Sequence, residues 1–377
     1  MAGIYIHIPF CKQACNYCNF YFSTSLHHKD RLVDSILHEI ALRTSYIQGE
    51  KIDTLYFGGG TPSILDAKDL VKIFRGISAA FDLSQLKEFT IEANPDDLTA
   101  EKVKEFSDLK SIGLNRFSVG IQSFSDADLV YMNRAHCAAE AEDCLKRLQD
   151  AGFHDLTIDL IYGTPTMSDE QWLKNITKAL SYNIPHLSAY ALTVEQKTYL
   201  HRKIARGEVD PVDDSVSGKQ FEMLMTRMKG AGFDQYEISN FALPGRYAIH
   251  NSNYWKGMPY LGLGPSAHSF NLTSRQWNVS NNLNYINAIA DGKIPSTIEK
   301  LNAVQVANEK IMTSLRTIWG LDLRDKDVLV FREEILHSLK NVDVRFYKMA
   351  DDVITISDAG KFFADGIASE LFILQDE

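Results

Sequence analysis

Cys11-Lys12-Gln13-Ala14-Cys15-Asn16-Tyr17-Cys18 follows directly on Ile4-Tyr5-Ile6-His7-Ile8-Pro9-Phe10. Ile4, Ile6 and Ile8 alternate with Tyr5 and His7, the period of two that marks a strand, and Pro9 ends it because it has no N–H for a ladder. The cysteines therefore lie on the loop leaving the carboxyl end of a first strand. Three thiols in eight residues point to a metal site rather than to core packing. Three thiolates can hold three irons of a cubane cluster, leaving the fourth iron open to an outside ligand. A zinc knuckle or a chance group of buried cysteines is the competing use of the same residues.

Outward from that loop, strand and helix patterns alternate. Leu32, Ile36, Ile40 and Ala41 stripe a helix over roughly 29–47. Ile52–Phe57 reads as a strand stopping at Gly58-Gly59-Gly60-Thr61-Pro62, and a helix carrying Leu70, Ile73, Phe74 and Ile77 comes next. Further strands are predicted at 89–93, 116–121, 156–161 and 186–192. Ser168 with Gln171 three residues on resembles a capping box opening a helix. Six strand–helix repeats imply a parallel, right-handed β/α sheet or barrel, whose ligands collect at the carboxyl ends of the strands. Cys11–Cys18, Gly58–Thr61, Glu92, Gln122, Asp159 and Gly163 all fall at that edge and are read as one pocket.

Beyond residue 193 the pattern changes. Helices are expected over 197–207 and 213–232, with a short strand over 234–239. His250-Asn251-Ser252-Asn253-Tyr254-Trp255 and Tyr260–His268 read as loop-rich and functional, from their density of Gly, Asn, Tyr and His. From about residue 300 a separate module is expected, with helices near 302–317 and 325–340, a hairpin around 344–356 and a last helix from about Asp358. That order resembles a winged helix. Ten Lys and Arg against fourteen Asp and Glu over 300–377 disfavour a DNA-reading surface. The expected divisions are 1–232 for the β/α core, 233–300 for a core extension and 301–377 for the small module.

The 377 residues are 45% apolar and 23% charged, ordinary for a globular protein, and the net charge of −10 argues against nucleic acid as a partner. No apolar run reaches eighteen residues, no export signal is recognisable, and five cysteines with three clustered do not suggest a secreted disulfide framework. A cytoplasmic location is expected.

Cys-x3-Cys-x2-Cys with Tyr17 before the last cysteine resembles the radical S-adenosylmethionine superfamily. Further motifs resemble its oxygen-independent coproporphyrinogen III oxidases and their relatives, the HemW haem chaperones. They are Tyr5-Ile6-His7-Ile8-Pro9-Phe10, Gly58-Gly59-Gly60-Thr61-Pro62-Ser63, Glu92-Ala93-Asn94-Pro95, Gly120-Ile121-Gln122-Ser123-Phe124, Asn133-Arg134-Ala135-His136, Asp159-Leu160-Ile161-Tyr162-Gly163, His250-Asn251-x-x-Tyr254-Trp255 and Gly262-x-Gly264. The resemblance implies a partial (β/α)6 TIM-like barrel with a winged-helix-like α+β module. It implies a [4Fe–4S] cluster on Cys11, Cys15 and Cys18, with S-adenosylmethionine on the open iron. Gly59, Gly60 and Thr61 would line its methionine end; Glu92, Gln122, Arg134 and Asp159 would complete the pocket, with Tyr5 near the cluster. His250 is the implied haem ligand, with His268 and His136 as weaker candidates. Cys137 and Cys144 are read as packing residues.

Two features favour the chaperone branch over the decarboxylases. The decarboxylases resemble Cys-x3-Cys-x2-Cys-x-Cys, whereas position 20 here is Phe, and their N-terminal extension of some fifty residues is not expected ahead of Cys11. Haem as cargo, haem-accepting proteins, an electron donor for the cluster and a possible homodimer follow as expected partners. The alternatives are decarboxylation of coproporphyrinogen III and a plain iron–sulfur or zinc module.

Overall fold

The computed structural model describes residues 1–374. Its first half runs β1 (Ala2–Ile8), α1 (Lys29–Leu42), β2 (Ile52–Gly59), α2 (Ala67–Ala80), β3 (Glu88–Ala93), α3 (Ala100–Asp108), β4 (Arg116–Gln122), α4 (Asp126–Tyr131), α5 (Ala138–Asp150), β5 (Asp155–Tyr162), α6 (Asp169–Ser181) and β6 (His186–Ala191). Neighbouring strands from β1 to β6 pair parallel and in chain order. This is the expected six-strand β/α core, arranged as an open, partial barrel.

Strand alternation sorts the side chains. Ile4, Ile6, Ile8, Leu55, Phe57, Phe89, Ile91, Phe117, Val119, Leu156 and Ile158 form one buried core with the helices. The alternate residues face the barrel interior, where the registers bring Tyr5 beside Tyr56, Tyr56 beside Thr90, Glu92 beside Ser118, and Asp159 beside Ser188. The interior is thus polar and aromatic. Ser168 caps α6, its Oγ accepting from Gln171 N at 3.1 Å, but the expected capping box is only half formed, because Gln171 Nε2 donates to Asn175 Oδ1 at 3.3 Å.

The chain continues through α7 (Tyr199–Ala205), α8 (Asp214–Gly230), β7 (Asp234–Glu237) and β8 (Asn240–Ala242). Much of the stretch read as loop-rich, 250–255 and 260–268, is instead regular structure, with 264–267 left as a turn. Ile249–Trp255 forms α9, and Tyr260–Leu263 forms β9, which pairs parallel with β1 on the side opposite β2. Next come β10 (His268–Phe270), β11 (Ser274–Asn278), α10 (Asn282–Ala290) and β12 (Ser296–Lys300). Residues 233–300 therefore extend both edges of one twelve-stranded sheet, ordered β12-β11-β10-β9-β1-β2-β3-β4-β5-β6-β8-β7.

The last part comprises α11 (Ala303–Leu315), β13 (Leu321–Asp322), α12 (Arg332–Ser338), β14 (Tyr347–Ala350), β15 (Val353–Ile356) and α13 (Ala364–Glu370). β13, β15 and β14 form a separate antiparallel sheet, and Ala307, Ile311, Leu321, Ile335 and Ile354 belong to a core of their own. The helix expected over 325–340 is broken: a 3-10 turn over Leu329–Phe331 precedes the seven-residue α12. The final three residues of the expected module lie outside the described residues. Among the described residues no helix is long and apolar enough to cross a membrane.

α9 closes the amino-terminal end of the barrel. The N–H groups of Ile249 and His250 donate to the Glu88 carboxylate at 2.6 and 3.1 Å, so the first residue of β3 satisfies two of the free donors of this short helix. Its His250 side chain bonds Thr54 near the start of β2. At about 3.3 Å per residue, the five residues from Thr54 to Gly59 put about 16 Å between this floor and the mouth.

Candidate functional site

At the mouth a cavity of about 490 Å³ is lined by Cys11, Cys15, Cys18, Gly59, Gly60, Thr61, Glu92, Gln122, Arg134 and Asp159, together with Asn94, Ser118 and Tyr190. Ten of the twelve residues assigned to the cluster, to S-adenosylmethionine or to haem as first ligand thus meet around one space, whereas Gly58 and Gly163, read into the same pocket, do not line it; Gly163 N bonds Gln220 Oε1 at 2.8 Å instead. Tyr5 and His250 lie deeper in the barrel.

The cysteine loop is held by its surroundings. Cys11 N bonds Ser23 O at 3.1 Å, and Asn16 is fixed by Met132 O, Tyr131 O and Leu200 N. Asn133, in left-handed conformation with φ of 57°, donates from Nδ2 to Ala14 O at 2.7 Å. Thr61 Oγ1 donates to Cys11 Sγ at 3.4 Å, and Arg134 Nη1 to Cys15 Sγ at 3.3 Å. Donors aimed at sulfur favour its charged form. Burial works the other way, pushing the Cys11 thiol up to about 11 and Cys18 upward as well. Binding of metal by these thiols therefore has to release protons.

The donor set fits a cluster. Three thiols converge on one cavity, with an arginine and a hydroxyl to hold charge on two of the sulfurs. Among the described residues no three Cys, His, Asp or Glu side chains gather round a single point, as a mononuclear zinc site requires. Thiolates that each bond a different iron stand further apart. Arg134 also donates to Asn94 Oδ1 at 2.7 Å and to Gly120 O at 2.8 Å, while its buried Nε keeps one N–H without a partner. As a residue lining the cavity, the guanidinium suits a carboxylate.

The glycines do more than leave room for a ligand. Gly59 has φ of 108°, and a Cβ there would lie 2.5 Å from the His7 ring; one at Gly60 would lie 2.7 Å from Phe10 O. Both are needed first so that β2 can end against the cysteine loop, which its backbone ties through Gly60 N to Ile8 O and Thr61 N to Phe10 O. Gln122, also left-handed with φ of 66°, follows a register shift in β4 that turns it to the cavity.

Two carboxylates sit below the cysteines. Burial pushes Glu92 up to about 7, with Asp159 adding to the shift and donors from Tyr56 and Gly59 opposing it. Burial likewise pushes Asp159 up to about 6, against hydrogen bonds from Ser188 and Ser118. Glu92 takes Tyr56 OH at 2.8 Å and Gly59 N at 3.1 Å, one donor to each oxygen.

The remaining candidates are placed otherwise. Tyr5 OH is 3.1 Å from His7 Nδ1, and its ring stacks with Tyr56 and His250 under the cavity. His250, expected as a haem ligand, is 1% exposed. Its Nδ1 is 2.8 Å from Thr54 Oγ1 and its Nε2 2.7 Å from Tyr254 OH, so neither nitrogen is free for a metal while α9 keeps its place. Burial lowers its pKa to about 3, and it is neutral. His136 is buried with Nε2 on Ile121 O, and His268 is exposed at the start of β10. Cys144 packs in the core as expected, but Cys137 is exposed at the start of α5. Asn94 and Tyr56 were not singled out individually. Asn94 precedes Pro95, which keeps it extended beyond β3, and its amide joins Thr61 to Arg134. Tyr56 was legible only through its parity in β2.

The radical SAM superfamily model matches residues 5–179. The heme chaperone HemW of Mycobacterium tuberculosis is 33% identical over 326 residues, covering 85% of this chain and 83% of the relative. The heme chaperone HemW of Escherichia coli is 37% identical over 269 residues, covering 71% and 69%. Among solved structures, coproporphyrinogen III oxidase (HemN) from Escherichia coli, a radical SAM enzyme, shares the fold with a TM-score of 0.85 at 20% identity, over 98% of this chain and 90% of that one.

Proposed function

This chain belongs to the HemW family of the radical SAM superfamily, and on that footing we propose that it is a haem chaperone. Cys11, Cys15 and Cys18 hold a [4Fe–4S] cluster, S-adenosylmethionine occupies the cavity beside it, and haem is bound for delivery to acceptor proteins. When bound, the cluster and S-adenosylmethionine together supply one-electron chemistry. The protein's own residues do the rest. Thr61 and Arg134 hold charge on the sulfurs, the Arg134 guanidinium offers its positive charge to a carboxylate, and Glu92 and Asp159 offer acceptors to hydroxyls and a sulfonium. An electron donor for the cluster and a homodimer remain part of the proposal on the family's footing alone.

The observation that carries cargo handling over decarboxylation is the charge of the cavity. Arg134 is the single Lys or Arg among its lining residues, and it is already bonded to Cys15, Asn94 and Gly120. Coproporphyrinogen III brings four propionates where haem brings two, and each carboxylate buried without a cation adds to the cost. At position 20, where the decarboxylases carry a fourth cysteine, Phe20 stands on the rim with 69% exposure. The test is anaerobic. The cluster-reconstituted protein is given reductant, S-adenosylmethionine and coproporphyrinogen III in one arm and haem in the other. The expected outcome is a stoichiometric haem complex with a shifted Soret band, passed on to an apo-haem protein, and no protoporphyrinogen. Protoporphyrinogen formation with turnover would replace the chaperone by the decarboxylase.

A further inference from the structure

Tyr56 spans the distance between the floor and the pocket. Its hydroxyl donates to Glu92 at 2.8 Å, and its ring lies 4.9 Å from that of His250, 20° from parallel. We propose that Tyr56 is a positioning residue through which helix α9, on the barrel floor, sets the charge state of Glu92 in the cofactor pocket. This rests on the assignment of that pocket to S-adenosylmethionine and adds to it a link with the opposite end of the barrel.

The link is a short chain of fixed contacts. Thr54 and Tyr254 hold the two nitrogens of His250, so its ring plane is set by α9 and β2 together. Tyr56 packs on that plane and on Tyr5, at 6.1 Å, which fixes the direction of its hydroxyl. Glu92 then has one oxygen on Tyr56 and the other on Gly59 N, at the lip of the cavity. Loosening His250 frees the Tyr56 ring to turn, and Glu92 loses one of its two donors.

The consequence is electrostatic. The groups facing Glu92 are Asp159 from β5, Tyr5 from β1, Tyr56 from β2 and Tyr254 from α9, and none of them is a cation. Its charged form therefore depends on the donors from Tyr56 and Gly59 against burial and Asp159. Above about pH 7 Glu92 carries the charge that attracts a sulfonium; loss of the Tyr56 donor moves that threshold upward. Because binding linkage is reciprocal, a ligand that engages Glu92 also stiffens the seat of α9.

The test follows Glu92 directly, by infrared titration of 13C-glutamate in the metal-free chain, with Glu92→Gln assigning the band. The wild type is expected to titrate near pH 7. Tyr56→Phe should raise the midpoint by about one pH unit. His250→Ala should raise it in the same direction, and His250→Phe, which keeps a stacked ring, should restore it. His250→Ala should add nothing in the Tyr56→Phe background. A loss of packing alone would not give this pattern. An unchanged midpoint in His250→Ala, or a full additional shift on top of Tyr56→Phe, overturns the coupling. Should His250→Ala not fold, His250→Leu, which fills the space without a ring to stack on Tyr56, takes its place: a raised midpoint supports the coupling, and an unmoved one overturns it, as does an unmoved Tyr56→Phe. In parallel, S-adenosylmethionine binding to the reconstituted protein should lose affinity on the acid side at the same midpoints. Absence of any binding by the wild type would refute the pocket assignment, while the infrared titration would still decide the coupling.

Discussion

At the mouth of the barrel Arg134 keeps a buried N–H without a partner, and polar groups from four strands face open space. At the floor, both nitrogens of His250 and the first two donors of α9 are already bonded, although the buried Ser252 Oγ on the same helix has no partner. Each end is a polar construction inside the same sheet, and each carries a run of residues that the sequence marks as unusual. The difference is in satisfaction. Groups that are paired within the chain hold the fold together, whereas groups left facing a cavity are free to hold something else. A motif such as His250-Asn251-x-x-Tyr254-Trp255 therefore says that a place matters, and only the pairing says whether it is open.

This contrast separates the expected effects of mutation. At the floor, His250→Ala removes a stacked ring and orphans Thr54 and Tyr254. It should cost about 3 kcal/mol in chemical denaturation and leave the iron content of the reconstituted protein unchanged. A variant of wild-type stability that no longer loads iron would reverse the roles of the two ends. At the mouth, Arg134→Met should cost about 2 kcal/mol, because water from the cavity can reach Asn94 and Gly120 O, and it should weaken cluster retention.

A pH effect of somewhat smaller size follows from Glu92, which opens partly onto the cavity. A carboxyl whose folded pKa is raised stabilises the fold at low pH, and that contribution is lost as pH rises from the unfolded value through the folded one. From about 4.5 to about 7, Glu92 should therefore cost the metal-free protein on the order of 1 to 2 kcal/mol, after discounting for solvent in the cavity. Glu92→Gln should flatten that slope in denaturation curves across the window. The smallest effect belongs to Phe20→Cys: with the side chain exposed on the rim, stability should change by less than about 0.5 kcal/mol. Iron content per chain should stay as in the wild type.

What could be read from the sequence divides along the same line. The six parallel strands and the cysteine loop were legible because one face of each strand packs on helices, so Ile4-x-Ile6-x-Ile8 and its counterparts keep a plain period of two. α9 was not legible. Its seven residues lie against a polar barrel interior, so it has no apolar stripe, and its start is capped from Glu88, 161 residues away. β9 escaped for a related reason: four residues that include Gly262 carry little strand propensity, and Gly262 is there because a Cβ would meet His268 O. Most of the pocket residues were legible as a set, since they stand at or near strand ends; Arg134, on the loop between α4 and α5, came only from the resemblance. The cooperation of Asn94 with Arg134, and of Tyr56 with Glu92, depended on distances that parity alone does not supply.

The most direct test of the division between an open mouth and a closed floor is a comparison of the wild type with a chain carrying Cys11→Ser, Cys15→Ser and Cys18→Ser together. Both are reconstituted anaerobically and assayed for iron, sulfide and S-adenosylmethionine binding by calorimetry. The expected result is about four irons and four sulfides with one bound S-adenosylmethionine in the wild type, and none of these in the variant, which should still fold. Zinc without sulfide in the wild type, or S-adenosylmethionine binding of equal strength in the variant, would contradict it.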